Sequence, residues 1–247
     1  MAQAKFCFYG ELNDFLPLAQ RGQWVGVSLN GVTVVKHLIE ALGVPHPEVD
    51  WILAGGQPVA FGYAVQDGDR IEVYPVDAGA PRNLLRPPLN PPVRFVLDTH
   101  LGQLATYLRL LGFDTLYRND YDDAELAVIS SQEVRVLLTR DRGLLKRKAV
   151  VYGYCVRTSQ PRQQLIDVLR RYRLSEAIQP WRRCLRCNGL LVPAEKAAIL
   201  AHLEPKTQRY YEEFQRCVDC GQIYWQGSHH SHMQTFIAEI LRELKLL

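Results

Sequence analysis

No run of eighteen apolar residues occurs in the 247-residue chain, so no membrane-spanning helix is expected. Its first residues, Met1-Ala2-Gln3-Ala4-Lys5, lead into a short strand-like run broken at Gly10. They lack the basic start and long apolar core of a secretory leader, which predicts a cytoplasmic protein. Cysteine is scarce, at six, and four of the six form two Cys-x-x-Cys pairs. The two left over, Cys7 and Cys155, lie in apolar runs where a thiol is usually buried and inert. This usage points away from a disulfide framework and toward a metal site in a reducing compartment. Net charge is also small, +3, while apolar residues make up 47% of the chain, enough for buried cores and too many for disorder. The near-neutral total hides an uneven distribution. Residues 1–92 carry 6 Lys+Arg against 9 Asp+Glu, which leaves 23 against 17 for the remainder, and residues 139–186 hold 13 basic against 3 acidic. Such a block is the footprint of a polyanion partner or, with equal weight, a solvated basic face.

Local patterns divide the chain into three regions. Residues 5–9 and 23–29 read as strands, and 33–42 as a helix stopped at Gly43. Residues 51–54 and 58–61 flank Gly55-Gly56, a hairpin signal, and 70–74 follow the Asp67-Gly68-Asp69 turn as another strand. Two strands, a helix and further short strands is the order of a β-grasp, or ubiquitin-like, domain over 1–76. Six of the fourteen prolines fall in residues 75–92, so 77–92 reads as a semi-stiff linker. Beyond it, apolar runs at 93–97, 134–138 and 150–156 alternate with helical spacing at 101–111, 123–131 and 163–172, and a short strand is expected at 114–117. Strands alternating with helices predict an α/β domain, 93–178, built on a parallel sheet covered on both faces. The last region, 179–247, carries the paired cysteines and closes with a helix over 233–246.

In parallel α/β sheets, sites form outside the carboxyl ends of the strands. Asp98 directly follows the run VRFVL, and Asp141 follows VRVLLTR. A further acidic group, Asp120, Asp122, Asp123 and Glu125, lies at the start of the intervening helix. Hard cations such as Mg²⁺ and Mn²⁺ prefer carboxylate oxygens, and phosphodiester hydrolysis needs a cation to activate water and neutralise the phosphate. Each acid also has a purely local explanation. Asp98 and Asp141 can cap the turns that follow them, and Asp122 with Glu125 has capping-box spacing. Singly each reads as a cap; as a set at the ends of the strongest strands they read as a metal site.

Cys184-x-x-Cys187 and Cys217-x-x-Cys220 can supply four thiolates to a tetrahedral, structural zinc. The 29 residues between the pairs exceed the usual spacing, and a helical insertion within 193–214 would account for them. His229, His230 and His232 follow closely and read as a polar loop rather than a second metal site. Arg140, Arg142, Lys146, Arg147 and Lys148 crowd beside Asp141, where they can track phosphates. Arg182, Arg183 and Arg186 extend that surface, and Tyr224 and Trp225 offer stacking faces.

The segments FVLDTHLGQLATYLRLLGFDT (95–115), NDYDDAEL (119–126), LLTRDRGLLKR (137–147), VYGYCV (151–156), RCLRCNGLL (183–191) and CVDCGQIYWQGSH (217–229) together resemble the Mut-seven carboxy-terminal ribonuclease family. Its bacterial members often carry an N-terminal ubiquitin-like domain. The resemblance implies a PIN-like nuclease domain with a C-terminal zinc ribbon, acting on RNA as a divalent-metal-dependent endonuclease. Carried over by position, it implies Asp98, Asp123 and Asp141 as metal-binding carboxylates, with Asp122 the alternative for the middle position. Thr139, two residues before Asp141, would project to the same sheet face and orient a ligand or water. His229, in the YWQGSH stretch, is implied as an RNA contact. The chain departs from the pattern at Gly143, where PIN-like nucleases often place a fourth acid.

Two rival readings stand beside the nuclease. A non-catalytic RNA-binding adaptor that keeps the fold draws support from Gly143. A sulfur-carrier or ubiquitin-type modifier is suggested by the first domain, but such proteins use a free C-terminal Gly-Gly, and this chain ends Leu246-Leu247. The ubiquitin-like domain itself is expected to contact a protein partner or to gate the nuclease.

Overall fold

A computed structural model describes residues 2–76 and 85–245. The expected proline-rich linker falls in part on 77–84, outside the described residues. In chain order the elements are β1 (Gln3–Phe8), β2 (Val25–Ser28), α1 (Val35–Ala41), β3 (Val49–Ala54), β4 (Gln57–Pro58), β5 (Arg70–Pro75), β6 (Phe95–Leu97), α2 (Gly102–Leu110), β7 (Thr115–Tyr117), α3 (Asp123–Gln132), β8 (Val136–Thr139), α4 (Arg142–Leu145), β9 (Gly153–Cys155), α5 (Pro161–Arg171), β10 (Leu191–Ala194), α6 (Lys196–Ile199), α7 (Pro205–Tyr210), β11 (Phe214–Cys217), β12 (Ile223–Trp225) and α8 (Ser228–Lys245). They pack as two compact units, residues 1–100 with 118–157 and residues 101–117 with 158–247.

The first unit contains a five-stranded sheet in the order β2-β1-β5-β3-β4, with β1 and β5 parallel and the other pairs antiparallel. This is the β-grasp arrangement. Its core is made by Phe6, Phe8, Leu12, Ile39, Ile52 and Ile71, all fully buried. Gly43 ends α1 in a left-handed conformation, φ +106°, with Gly43 N donating to Glu40 O and Val44 N to Ile39 O. Those two bonds satisfy carbonyls that a helix end otherwise leaves open. The Gly55-Gly56 turn has φ +54° and +81°, the backbone a two-residue hairpin requires, and it pairs Ala54 with Gln57.

The same unit holds three parallel strands, β6-β8-β9, in the register Leu97↔Leu138 and Leu138↔Tyr154. Every residue of the three is buried, which explains their continuous rather than alternating apolar runs. The middle strand starts later than the sequence pattern implies because Val134 takes φ +51°, incompatible with a strand. Helix α3 packs on β6 and β8, and α4 packs on β8 and β9.

In the second unit α2 packs on α5 and β7, and α5 packs on α8. Gly112, φ +92°, lets Gln179 approach closely, and Gln179 N and Trp181 N donate to Leu111 O and Leu110 O. A three-stranded antiparallel sheet, β10-β11-β12, forms the cysteine-bearing region. The long spacer between the cysteine pairs does fold helically, as α6 and α7, and buries Ile199 and Leu203 against Phe214. Helix α8 begins five residues before the expected start, so His229, His230 and His232 sit on its first turns rather than in a loop.

Candidate active site and metal centre

The parallel register places Asp98 and Thr139 side by side at the carboxyl ends of adjacent strands. Thr139 is fully buried, and its hydroxyl links the Asp98 carboxylate to the backbone of Asp141. It donates to Asp98 Oδ2 at 2.7 Å and accepts from Asp141 N at 2.9 Å. The other Asp98 oxygen accepts from Thr99 Oγ1 at 3.1 Å, with exposed His100 3.6 Å away. Asp141 caps α4, accepting from Gly143 N through Oδ1 at 2.6 Å. That leaves Oδ2 as its second oxygen. A side chain at Gly143 would begin 3.1 Å from Asp141 Oδ1, so a fourth acid here would need the cap to shift.

At the start of α3 the two neighbouring acids part company. Asp122 is a capping residue: it accepts from Glu125 N at 2.8 Å, and Glu125 Oε2 accepts from Asp122 N at 3.2 Å. Asp123 keeps an exposed carboxylate 3.7 Å from Arg147 Nη2. All these donors are carboxylate oxygens, the set a hard cation takes. Asp98, Asp123 and Asp141 are nevertheless not drawn within 4.8 Å of one another as a trio. Among the described residues that spacing is met by the four cysteines.

The basic residues divide by what they touch. Arg140 and Lys148 are exposed, and Arg147 faces Asp123. Arg142 donates to Phe15 O and Asp14 O, and Lys146 Nζ to Glu40 O at 2.6 Å. Arg183 donates to Asn188 O and approaches Asp114 Oδ2 at 3.4 Å, while Arg182 donates to Gln179 Oε1. Arg186 and His229 are exposed. His230 stacks on Trp181 at 4.2 Å, and its burial lowers its pKa.

Cys184, Cys187, Cys217 and Cys220 gather their sulfurs within 4.8 Å, with Cys184 to Cys220 at 3.7 Å and Cys187 to Cys217 at 3.4 Å. Zn–S bonds of about 2.3 Å in a tetrahedron separate sulfurs by about 3.8 Å, so the cluster can hold a zinc ion. Burial pushes the Cys184 thiol up, but hydrogen bonds from Tyr224 and the backbone N–H groups of Cys187 and Arg186 outweigh it and bring the group to about 7. Burial drives Cys187 up to about 12 and raises Cys220 as well. Tyr224 OH lies 3.2 Å from Cys184 Sγ and accepts from Leu185 N, so its hydroxyl belongs to the cysteine knuckle.

Two residues that sequence reasoning passed over fasten this knuckle. Arg109, almost fully buried, donates to Thr115 O, Leu185 O and Arg186 O. Asn188, at φ +75°, accepts from Thr115 N and donates to Asp114 Oδ1, both at 2.8 Å. The available signals were a basic residue inside an apolar helical face, LRLL, and an Asn-Gly pair after the first Cys-x-x-Cys.

The Mut7-C RNAse domain matches residues 93–237, and the Mut7-C ubiquitin domain matches residues 1–80. No curated protein matches the chain significantly. A crystal structure of H. volcanii small archaeal modifier protein 1 is similar over 30% of this chain and 98% of that one, at 20% identity and a TM-score of 0.25, and nothing further follows from it.

Proposed function

Because the chain belongs to the Mut7-C RNAse family and carries a Mut7-C ubiquitin domain ahead of the matching region, we propose that it is a cytoplasmic, divalent-metal-dependent endoribonuclease. The observation that carries this reading is the buried Thr139 hydroxyl, hydrogen-bonded at once to Asp98 and to the backbone of Asp141. A buried hydroxyl bonded to one strand-end acid and to the backbone of the next supports a positioning role. Asp98, Asp123 and Asp141 would hold Mg²⁺ or Mn²⁺, with Asp122 left to cap α3. Bound there, the ion supplies an acidified water and charge neutralisation at the phosphate.

The rest falls to the chain. Asp98, held by Thr139 and Thr99, would offer a fixed carboxylate to the metal. Arg140, Arg147 and Lys148 steer the RNA backbone. Water oxygen bonds to phosphorus as the bond to the 3′ oxygen breaks. The water's proton passes to solvent and the 3′ oxygen gains one, leaving 5′-phosphate and 3′-hydroxyl ends. Zinc on the four cysteines is structural, since four thiolates leave it no open position. Arg186 and His229, exposed in the second unit, would also contact RNA, while Arg183 acts through its contacts to Asn188 and Asp114.

The test is cleavage of a mixed RNA substrate with Mn²⁺ or Mg²⁺. Asp98→Asn and Asp141→Asn should each lower the rate at least about 100-fold, on the order of 3 kcal/mol in the barrier. Full activity in both variants would refute the proposal. A second reading, a non-catalytic RNA-binding adaptor, draws on the 2.6 Å bond that commits one Asp141 oxygen to Gly143. Salt-sensitive RNA binding without cleavage under any divalent metal would favour it.

A further inference from the structure

We infer that the β-grasp domain is a fixed positioning element of the nuclease site, seated on the outer strand β9 through Glu48 and joined to the Asp141 turn through Arg142. An edge strand presents backbone N–H groups with no neighbouring strand to accept from them, and proteins cover such edges. Val156 N donates to Thr139 O and Leu137 N to Tyr152 O, so the N–H of Cys155 points away from β8. It donates to Glu48 Oε1 at 2.6 Å. The Glu48 side chain has 0% exposure, and its other oxygen lies 3.7 Å from Arg157 Nη2. A carboxylate this buried is tolerated only with charge-assisted partners, and Cys155 N and Arg157 provide them.

The contacts around Glu48 continue the seat. His46 Nε2 donates to Val150 O at 2.7 Å, while Nδ1 meets Glu40 Oε1 at 2.7 Å. Arg86 Nη1 donates to Pro47 O and approaches Val151 O. A side chain at Gly153 would begin 3.4 Å from Pro47 Cβ, in van der Waals contact, and 2.6 Å from Leu145 Cδ2, so the leucine would have to shift. Arg157 also reaches Glu11 at 3.0 Å and Asp14 at 3.6 Å. These pairs match the acidic N-terminal region to the basic block.

From this seat the contacts run to the active-site turn. The Arg142 and Arg157 guanidiniums each lie 4.9 Å from the Phe15 ring centroid. Arg142 bonds the carbonyls of Phe15 and Asp14, and Lys146 bonds that of Glu40. Residues 142 and 146 bracket α4, whose cap is Asp141. Arg142 is exposed, so its bonds are individually weak, and the docking free energy resides in the buried Glu48 and His46 contacts. Arg142 and Lys146 thereby become positioning residues rather than phosphate contacts.

The effect on catalysis rests on the proposed nuclease reading; the docking does not. Both are separated by hydrogen exchange on the full chain, read over peptides 3–8, 141–146 and 153–157, alongside RNA cleavage. Glu48→Ala should speed exchange at least about 10-fold in 141–146 and 153–157 while 3–8 stays protected. It should also lower kcat about 10-fold with KM within about 3-fold, on the order of 1.4 kcal/mol in the barrier. Glu48→Gln, whose amide oxygen still accepts from Cys155 N, should restore most of the protection. Arg142→Ala should speed exchange in 141–146 alone, and it decides the matter if Glu48→Ala unfolds strand 3–8. Unchanged exchange in 141–146 in Glu48→Ala and Arg142→Ala overturns the inference. So does an Arg142→Ala variant with wild-type exchange, raised KM and a shallower salt dependence, the signature of a phosphate contact. Should the wild-type chain cleave no RNA, the nuclease reading falls and the exchange data still decide the docking.

Discussion

Thr139 is the residue on which the candidate site turns, because a buried hydroxyl with one donor and one accepted bond leaves no slack at either end. Its proton goes to Asp98 Oδ2 and its lone pair to Asp141 N. Thr139→Val keeps the shape and removes both bonds. Leaving a carboxylate oxygen and a backbone N–H without their partner costs about 1–3 kcal/mol. The expected outcome is a lower denaturant midpoint with unchanged m-value, together with at least a 10-fold drop in kcat, about 1.4 kcal/mol. Wild-type kcat in Thr139→Val would show that the hydroxyl only supports the fold. Thr139→Ser, which keeps the hydroxyl, should recover most of the activity.

At the scale of elements, α3 shows why adjacent acids cannot be interchanged. The helix begins with a reciprocal capping box between Asp122 and Glu125, whereas Asp123, one position on, points an exposed carboxylate at Arg147. Asp122→Ala should therefore destabilise by about 1 kcal/mol, a melting shift of about 2–4 °C, with cleavage per folded molecule preserved. Asp123→Asn should do the reverse, leaving stability within about 0.5 kcal/mol and reducing cleavage. Calorimetry with a cleavage assay on the two variants separates the roles, and a stable but inactive Asp122→Ala would exchange them. Helix α4 follows the same logic: its cap is Asp141, so the bond that starts the helix also orients one of the candidate ligands.

For the whole molecule, the cysteine cluster sits in a knuckle fastened to the rest of the second unit. The knuckle at 184–188 is tied to α2 and β7 by Arg109 and Asn188, through the carbonyls of Leu185 and Arg186 and the backbone of Thr115. A zinc ion held there would organise this knuckle, and stripping it would leave four thiols crowded within 4.8 Å. Chelation should release about one zinc per chain, the stoichiometry of one four-thiolate site. It should also abolish amide protection in Phe214–Cys217 while leaving Gln3–Phe8 protected. Full protection of Phe214–Cys217 after complete chelation would show that the β10-β11-β12 sheet stands without metal.

Local chemistry was enough to read several individual elements. The Gly43 helix stop, the Gly55-Gly56 hairpin, the short apolar runs of the parallel strands and the two cysteine pairs all act through neighbours within a few positions. The same range covers the capping-box spacing at Asp122, although not which acid it would leave free. What depended on tertiary structure was every assignment made by a distant partner. Cys155 meets Glu48 across 107 positions, Lys146 meets Glu40 across 106, and Arg142 meets Phe15 across 127. Read alone, Arg142 and Lys146 are two more cations in a basic block. Folding assigns them carbonyl acceptors in the β-grasp domain, because hydrogen bonds between segments this far apart follow from how sheets and helices pack and leave no periodic trace in the chain.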